Sequence, residues 1–468
     1  MYDSKLIQIF QKFSVQEHRL LKKWVASSFV NKHEEVIKLV EFLYTRKSIT
    51  AITTQRARTF DYLFPGKQYD DLKLRHIMSL ATQVFEEFII YYHYQQSETK
   101  RLFALEHFYS YHNLELYAEN TSKSIHKYLT EQPKRDSRFY YDILQTEIND
   151  FISHSKNTRD KPFNIQTITD AIHHYSYAEI LKYACVGLSH TKVSNVQYSL
   201  PMLPFVLAEV ANNLEQQSPP TQLYFLIYKA SSVIENEEYF ELITKRLAKF
   251  ESCFSDQELK DIFIFVINLC IRRINDGNKL FAETAYNLYQ QALTKKYLID
   301  KGEMSRFTFT NIVFTGLYIQ NFKGVEDFIK TYQDHINIDF REHVVAFNKA
   351  RLYFSKQDYK KAMPILLTVE FKDDLQNLAA KFMLLKIYFE TKEYEALFAL
   401  RNSFKVFLHR QKKIGYHKIR YKNVLIYIDK LYQHIGAKKD KINKLRDEMS
   451  AVQNLPDKDW FLHQLKNL

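Results

Sequence analysis

A basic, tyrosine-rich stretch near the C-terminus holds the residues best suited to bind a partner. Residues 401–446 contain 14 lysines and arginines but only two acidic residues, and the rest of the chain is balanced, so this stretch carries the whole formal charge of +12. Cations can neutralise phosphates, and tyrosine rings can stack on bases. The candidate contacts are Arg410, Lys412, Lys413, Lys418, Arg420 and Lys422, interleaved with Tyr416, Tyr421 and Tyr427. The stretch therefore suits a nucleic acid, or an acidic protein partner.

The same stretch also fits a purely structural role. Ile414, Ile419, Leu425 and Ile428 could form the buried face of helices, together with the tyrosines. The lysines and arginines would then lie on the solvated side and cover apolar neighbours with their aliphatic stems. Both interpretations stay open at the level of the sequence.

Signatures of catalysis and of metal binding are missing from the sequence. There is no GxxxxGK[ST], GxGxxG, GxSxG or HExxH, and no two cysteines stand at zinc-ligand spacing. His107 and His112 lie five residues apart, which is about 140° around a helix and a poor geometry for two ligands. We therefore expect a protein that is not an enzyme and that uses no cofactor and no metal.

The composition predicts an all-α fold. The 468 residues include only 8 glycines and 9 prolines, whereas β-hairpins and phosphate-binding loops both need glycine. Cys185, Cys253 and Cys270 are odd in number and far apart, which favours a reducing compartment. The start of the chain lacks an apolar signal core, and no apolar run approaches the length of a membrane span. We expect a cytoplasmic protein without a membrane segment.

Residues 341–401 contain a repeated pattern of small, aromatic and aliphatic residues. Tyr359 aligns with Tyr394, 35 residues later, and with Phe322, 37 residues earlier. The aligned sets are Ala350, Tyr353, Tyr359, Ala362 and Leu366; Leu385, Tyr388, Tyr394, Leu397 and Arg401; and Val313, Gly316, Phe322, Val325 and Ile329. Apolar residues three and four apart share one face of a helix, and a period near 34 is typical of helix–turn–helix repeats.

This pattern resembles the tetratricopeptide repeat family, best over about residues 343–412. Two positions depart from the family's pattern, because Gly316 replaces an aromatic residue and Arg401 replaces a large apolar one. Some members of the family hold the C-terminal carboxylate of a peptide with a lysine and an asparagine one turn apart on an inner helix. Asn348 and Asn377 lie on suitable helices, but no lysine precedes Asn348 by one turn, so the resemblance does not supply a complete clamp.

The resemblance implies an α-solenoid of antiparallel helix hairpins with an N-terminal helical bundle. We predict a helical region at 1–100, divergent hairpins at 101–300, tetratricopeptide-like repeats at 301–412 and basic capping helices at 413–468. Stacked hairpins expose a groove, so the predicted function is a non-enzymatic scaffold that binds a peptide or helix, possibly an acidic one. Asn348 and Arg351, with the six basic residues named above, are the predicted partner contacts. The alternative is a nucleic-acid-associated protein that uses residues 401–446.

Overall fold

The structure, a computed structural model, describes residues 1–157, 162–194, 196–232, 238–275, 278, 280–368, 374–410, 417–452 and 454–468. Within these residues the secondary structure is helical except for one hairpin of two-residue strands, so the protein is all-α, as its low glycine and proline content predicted. The chain forms two compact units. We call Met1–Pro133 with Ser137–Ser176 the N-terminal unit, and Lys134–Asp136 with Tyr177–Leu468 the C-terminal unit.

One long helix, α5, forms the centre of the N-terminal unit. The helices of this unit are α1 (Lys5–Phe10), α2 (Val15–Val25), α3 (Glu34–Tyr44), α4 (Arg56–Leu63), α5 (Asp71–Gln95), α6 (Glu98–Tyr111), α7 (Glu115–Glu131) and α8 (Ser137–Asn157). The division between the units falls inside α9 (Ile165–Ser194). Leu74, Ile77, Ala81, Phe85 and Phe88 recur three or four residues apart on α5 and are buried against α1 to α4.

A capping box begins α2, as the sequence pattern Ser14-x-x-Glu17 predicts. The Ser14 hydroxyl accepts a hydrogen bond from the backbone N–H of Glu17 at 3.2 Å. In return, the Glu17 carboxylate accepts one from the backbone N–H of Ser14 at 2.7 Å. Two N–H groups that the helix itself leaves unpaired are thereby satisfied.

Successive helices pack against each other in the C-terminal unit. Its helices are α10 (Leu203–Asn212), α11 (Pro219–Ser232), α12 (Glu238–Phe250), α13 (Asp256–Asn275), α14 (Phe281–Thr294), α15 (Arg306–Tyr318), α16 (Phe322–Tyr332), α17 (Ile338–Ser355), α18 (Tyr359–Thr368), α19 (Asp374–Glu390), α20 (Tyr394–Arg410), α21 (His417–Gln433), α22 (Lys439–Ala451) and α23 (Lys458–Lys466). The strands β1 (Ile299–Asp300) and β2 (Glu303–Met304) form an antiparallel pair before α15. From α13 to α21 each helix contacts the next, and α17 also contacts α15 and α19.

Three helix pairs, α15–α16, α17–α18 and α19–α20, are joined by the same type of turn. Each turn contains one residue with left-handed backbone: Gln320 (φ 60°), Gln357 (φ 58°) and Lys392 (φ 63°). The backbone N–H of the following residue then bonds back to the first helix, for example from Asp358 to the carbonyl of Tyr353 at 2.9 Å. This is the pattern of a helix C-terminus closed by a left-handed residue. The three segments that align in the sequence therefore share one local conformation.

The aligned residues also occupy equivalent places in these three pairs. Phe322, Tyr359 and Tyr394 are the first residues of the second helices. Gly316 stands where the pattern has an aromatic residue because its space is already filled: a Cβ there would lie 2.5 Å from Cγ2 of Val325 and 2.9 Å from the ring of Tyr286.

Candidate functional site

A cavity of about 620 Å³ opens among the helices of the C-terminal unit. Its walls come from α15, α17 and α19, with Tyr421 of α21 and the segment Pro456–Asp457 that precedes α23. Aromatic rings make up much of the wall: Phe307, Phe314, Tyr318, Phe347, Phe354, Phe382 and Tyr421. A cavity of this size and apolar character, with a few polar groups, is the usual form of a ligand site.

The charged groups that line the cavity are three cations, Arg306, Arg351 and Lys386, and one carboxylate, Asp457. Each cation lies over aromatic rings. The guanidinium of Arg306 is 4.6 Å from the centre of the Phe340 ring, and the ammonium of Lys386 is 4.5 Å from that of Phe382. Ring faces attract cations, and the attraction grows when water is excluded. The rings therefore hold positive charge in place beside the cavity.

The guanidinium of Arg351 lies against aromatic rings but has no hydrogen-bonding partner among the described residues. Its guanidinium is 5.2 Å from the centre of the Phe314 ring and 5.8 Å from that of Phe347. In the part of the chain that the structure describes, it makes no hydrogen bond and no ion pair. Burial lowers the pKa of the Arg351 guanidinium to about 10, so the group stays charged at neutral pH. A planar fork of five N–H donors is thus available to a ligand.

Lys386 and Asp457 form an ion pair across the cavity. Lys386 is only 5% exposed, in the middle of the apolar helix α19, whereas the side chain of Asp457 is 61% exposed. The positive charges of Lys386 and, more weakly, of Arg351 and Arg420 hold the pKa of Asp457 below its usual range. The pair compensates a buried cation with a carboxylate that water and solutes can reach.

Of the predicted contacts, the structure places Arg351 in the cavity and Arg420 close enough to act on the charge of Asp457. Asn348 is fully buried; its amide donates to the carbonyl of Val344 at 2.8 Å and to the hydroxyl of Thr310 at 3.2 Å. Thr310 itself lines the cavity, so Asn348 supports its wall.

The other predicted contacts are not among the residues that line the cavity. Arg410 and Lys422 are exposed on α20 and α21, and the ammonium of Lys418 donates to the carbonyl of His409 at 3.3 Å. Lys412 and Lys413 lie outside the described residues. In the same stretch Leu425 and Ile428 are buried, as the structural interpretation of the basic segment predicts, whereas Ile419 is 57% exposed.

Sequence reasoning missed Lys386, Asp457 and Arg306. A lysine inside the apolar run of residues 382–389 is the signal that could have identified Lys386, because a lysine surrounded by apolar residues on a buried helix needs a partner. No comparable signal marks Asp457, which comes from a segment 71 residues later in the chain.

Neither a metal site nor a membrane span is found among the described residues. No group of three or more histidine, cysteine, aspartate or glutamate side chains there could hold a metal ion. None of the described helices combines the length and the apolar character that crossing a bilayer requires. The chain matches no protein-family model, no curated protein and no solved structure.

Proposed function

We propose that this chain is a non-enzymatic interaction scaffold, in which stacked helix hairpins present a groove for a peptide or helix of a partner protein. Contacts between successive helices from α13 to α21, and between alternate helices α15, α17 and α19, support a solenoid of the tetratricopeptide type. We further propose a cytoplasmic setting, because Cys185, Cys253 and Cys270 are free thiols.

The observation that carries the proposal is the guanidinium of Arg351, which has no hydrogen bond and no ion pair among the described residues and lies in a cavity walled by aromatic rings. The side chain of Arg351 is only partly exposed, and its N–H donors can pair with an anion that enters the cavity. A protein partner that brings an acidic group and an apolar side chain would satisfy the cation and fill the apolar space. Peptide recognition by helical grooves uses this combination of apolar anchors and charge.

The test is capture of partners on the tagged full-length protein, with wild type beside the variant Arg351→Gln. Arg58→Gln is the matched control, because it removes the same charge from an exposed position in the N-terminal unit. We expect proteins that wild type and Arg58→Gln retain equally, that nuclease treatment does not release and that Arg351→Gln loses. Equal retention by all three proteins would contradict the proposal.

The second candidate, a nucleic-acid-associated protein, rests on the exposed cations of α20 to α22, such as Arg410, Lys422 and Lys439. It predicts partners that nuclease releases, and an affinity that falls steeply with salt, in proportion to the phosphates contacted. Charge reversal of Lys412, Lys413, Lys418 and Lys422 to glutamate should then abolish binding. A set of partners that survives the reversal would exclude any function of the basic stretch in binding.

A further inference from the structure

Asp457 stands at a helix start but does not act as a helix cap. It occupies the N-cap position of α23 with left-handed backbone (φ 47°, ψ 44°), and its side chain accepts no hydrogen bond from the first turn. An aspartate at this position normally caps the helix through its carboxylate. Here the carboxylate turns away from its own helix and pairs with Lys386 of α19 in the cavity.

The cavity has more positive charge than Asp457 can compensate. The carboxylate pairs with Lys386 and acts on Arg351 through its charge, but it makes no direct ion pair with Arg351 within the described residues. The N–H donors of Arg351 therefore have no partner among the described residues while Asp457 is paired with Lys386. Arg351 is partly exposed and the carboxylate of Asp457 is mostly exposed, so an incoming anion can reach Arg351 and can compete with Asp457 for the buried Lys386.

We propose that this cavity binds an acidic side chain of the partner peptide at Arg351 and Lys386, and that Asp457 is an internal competitor which this side chain displaces. The inference rests on the proposed function. It adds the chemistry of the ligand, and it explains how Asp457 stabilises the site when no ligand is bound. The planar fork of Arg351 matches a carboxylate in a bidentate arrangement, and the rings around it accept an apolar or aromatic neighbour of the acidic residue.

Displacement explains why an exposed carboxylate, rather than a fully buried one, pairs with Lys386. A buried ammonium group without any partner would be strongly destabilising, so the free protein needs a substitute anion. A pair with one exposed member supplies it and can be exchanged, since water replaces the partner on the exposed side. The free and bound states then differ in which carboxylate compensates Lys386.

The experiment uses the full-length protein and a fluorescent library of random hexapeptides that are N-acetylated and C-amidated, so that side chains carry the only carboxylates. Peptides selected by wild type should contain aspartate or glutamate beside an apolar residue. Replacing that residue by its amide should weaken binding at least about tenfold, as should Arg351→Gln, because a charge-assisted hydrogen bond is lost. Arg58→Gln should bind as wild type does.

Asp457→Asn is the decisive variant. Removing the competitor should tighten binding of the selected peptide by about tenfold, because the binding-competent form no longer has to be released first. The double variant Lys386→Met, Asp457→Asn removes both charges and leaves no unpaired buried cation. It should fold, bind the acidic peptide through Arg351 alone and therefore more weakly than wild type, and lose that binding when Arg351→Gln is added. This variant keeps the test of the acidic ligand at Arg351 valid even if Asp457→Asn alone does not fold.

The fluorescence of Trp460 gives a second measurement of peptide binding that does not require an affinity to be determined. Its ring is 5.5 Å from the ammonium of Lys386, and the chain contains only one other tryptophan, Trp24. In the variant Trp24→Phe the fluorescence of Trp460 should change on binding of the selected peptide, because the charge beside the ring is rearranged. The same peptide should leave the spectrum unchanged when Arg351→Gln is introduced.

Other outcomes separate this inference from the proposed function. If Asp457→Asn binds the peptide as wild type does or more weakly, while Arg351→Gln still loses binding, Asp457 is not a competitor. The proposed scaffold function would then still hold. A preference for phosphoserine or for a free C-terminus, tested by adding those two arms to the library, would overturn the acidic side chain as the ligand. If no variant selects any peptide from the library, and if partner capture does not depend on Arg351, both this inference and the proposed function are contradicted.

Discussion

Replacing Asp457 by asparagine should destabilise the C-terminal unit, because the ammonium group of Lys386 would stay buried without its counter-ion. Breaking a fully buried pair costs about 3–5 kcal/mol, and breaking an exposed pair about 0.2–1 kcal/mol. The pair here lies between these limits, since one member is 5% exposed and the other mostly accessible. The rings of Phe382, Phe354 and Trp460 around Lys386 retain part of the stabilisation. We therefore expect a loss of about 2 kcal/mol.

The assay is equilibrium unfolding in urea, followed by the fluorescence of Trp460 in a Trp24→Phe background. The free energy of unfolding should fall in Asp457→Asn and recover in the double variant Lys386→Met, Asp457→Asn, which leaves no buried charge. Asp447→Asn, at an exposed position on α22, is the matched control and should change the stability by less than about 0.5 kcal/mol.

The effect should also depend on pH in one direction. The pKa of Asp457 is lowered in the folded protein by Lys386, so the pair stabilises the fold above the pKa of an unfolded aspartate, about 4. This contribution is lost as the pH falls through the lower, folded value. The difference between wild type and Asp457→Asn should thus shrink on acidification below about pH 4. A difference that is absent at neutral pH, or that is constant down to pH 2, would refute the reasoning.

Four further substitutions test the packing, the site and a helix cap. Gly316→Ala should lower the melting temperature, because the added Cβ would overlap Val325 and overpacking costs about 1–3 kcal/mol. Gly187→Ala should raise the stability by up to about 1 kcal/mol, because the nearest heavy atom to its Cβ would be 3.6 Å away. A fall of the melting temperature for both variants would contradict the packing argument. Arg351→Met should leave the melting temperature unchanged or raise it, because a partly exposed cation that makes no ion pair among the described residues adds little to stability; a loss above about 2 kcal/mol would show that the residue stabilises the fold instead. Ser14→Ala should lower the free energy of unfolding by about 1 kcal/mol, measured by urea unfolding, since it removes a capping hydroxyl; no change would show that the cap is redundant.

The helical class and the equivalence of the three aligned segments could be predicted because both depend on composition and on residue spacing. Low glycine and proline content predicted helices, and the alignment of Tyr359 with Tyr394 and Phe322 predicted that the three segments share one helical pattern. These signals can be read directly from the sequence, because the spacing of side chains along a helix is fixed by the backbone.

The cavity could be predicted only in part, because its residues come from distant segments. Arg351 was among the predicted contacts, but its pairing state depends on which side chains other helices bring near it. Lys386 and Asp457 meet through the docking of a segment 71 residues away, and no periodicity in the sequence encodes that meeting. The basic composition of residues 401–446 predicted Arg410 and Lys422 as contacts, but these residues are exposed on α20 and α21 and do not line the cavity.

The left-handed residues in the three equivalent turns have a practical consequence for engineering the chain. Gln320, Gln357 and Lys392 each bear a β-carbon in a conformation that costs an ordinary residue about 1 kcal/mol and that glycine adopts freely. Glycine at all three positions should therefore give a more heat-resistant variant, measured as a higher melting temperature. None of the three residues lines the cavity, so such a variant would be a more stable starting point for crystallisation and ligand screening with the cavity unchanged.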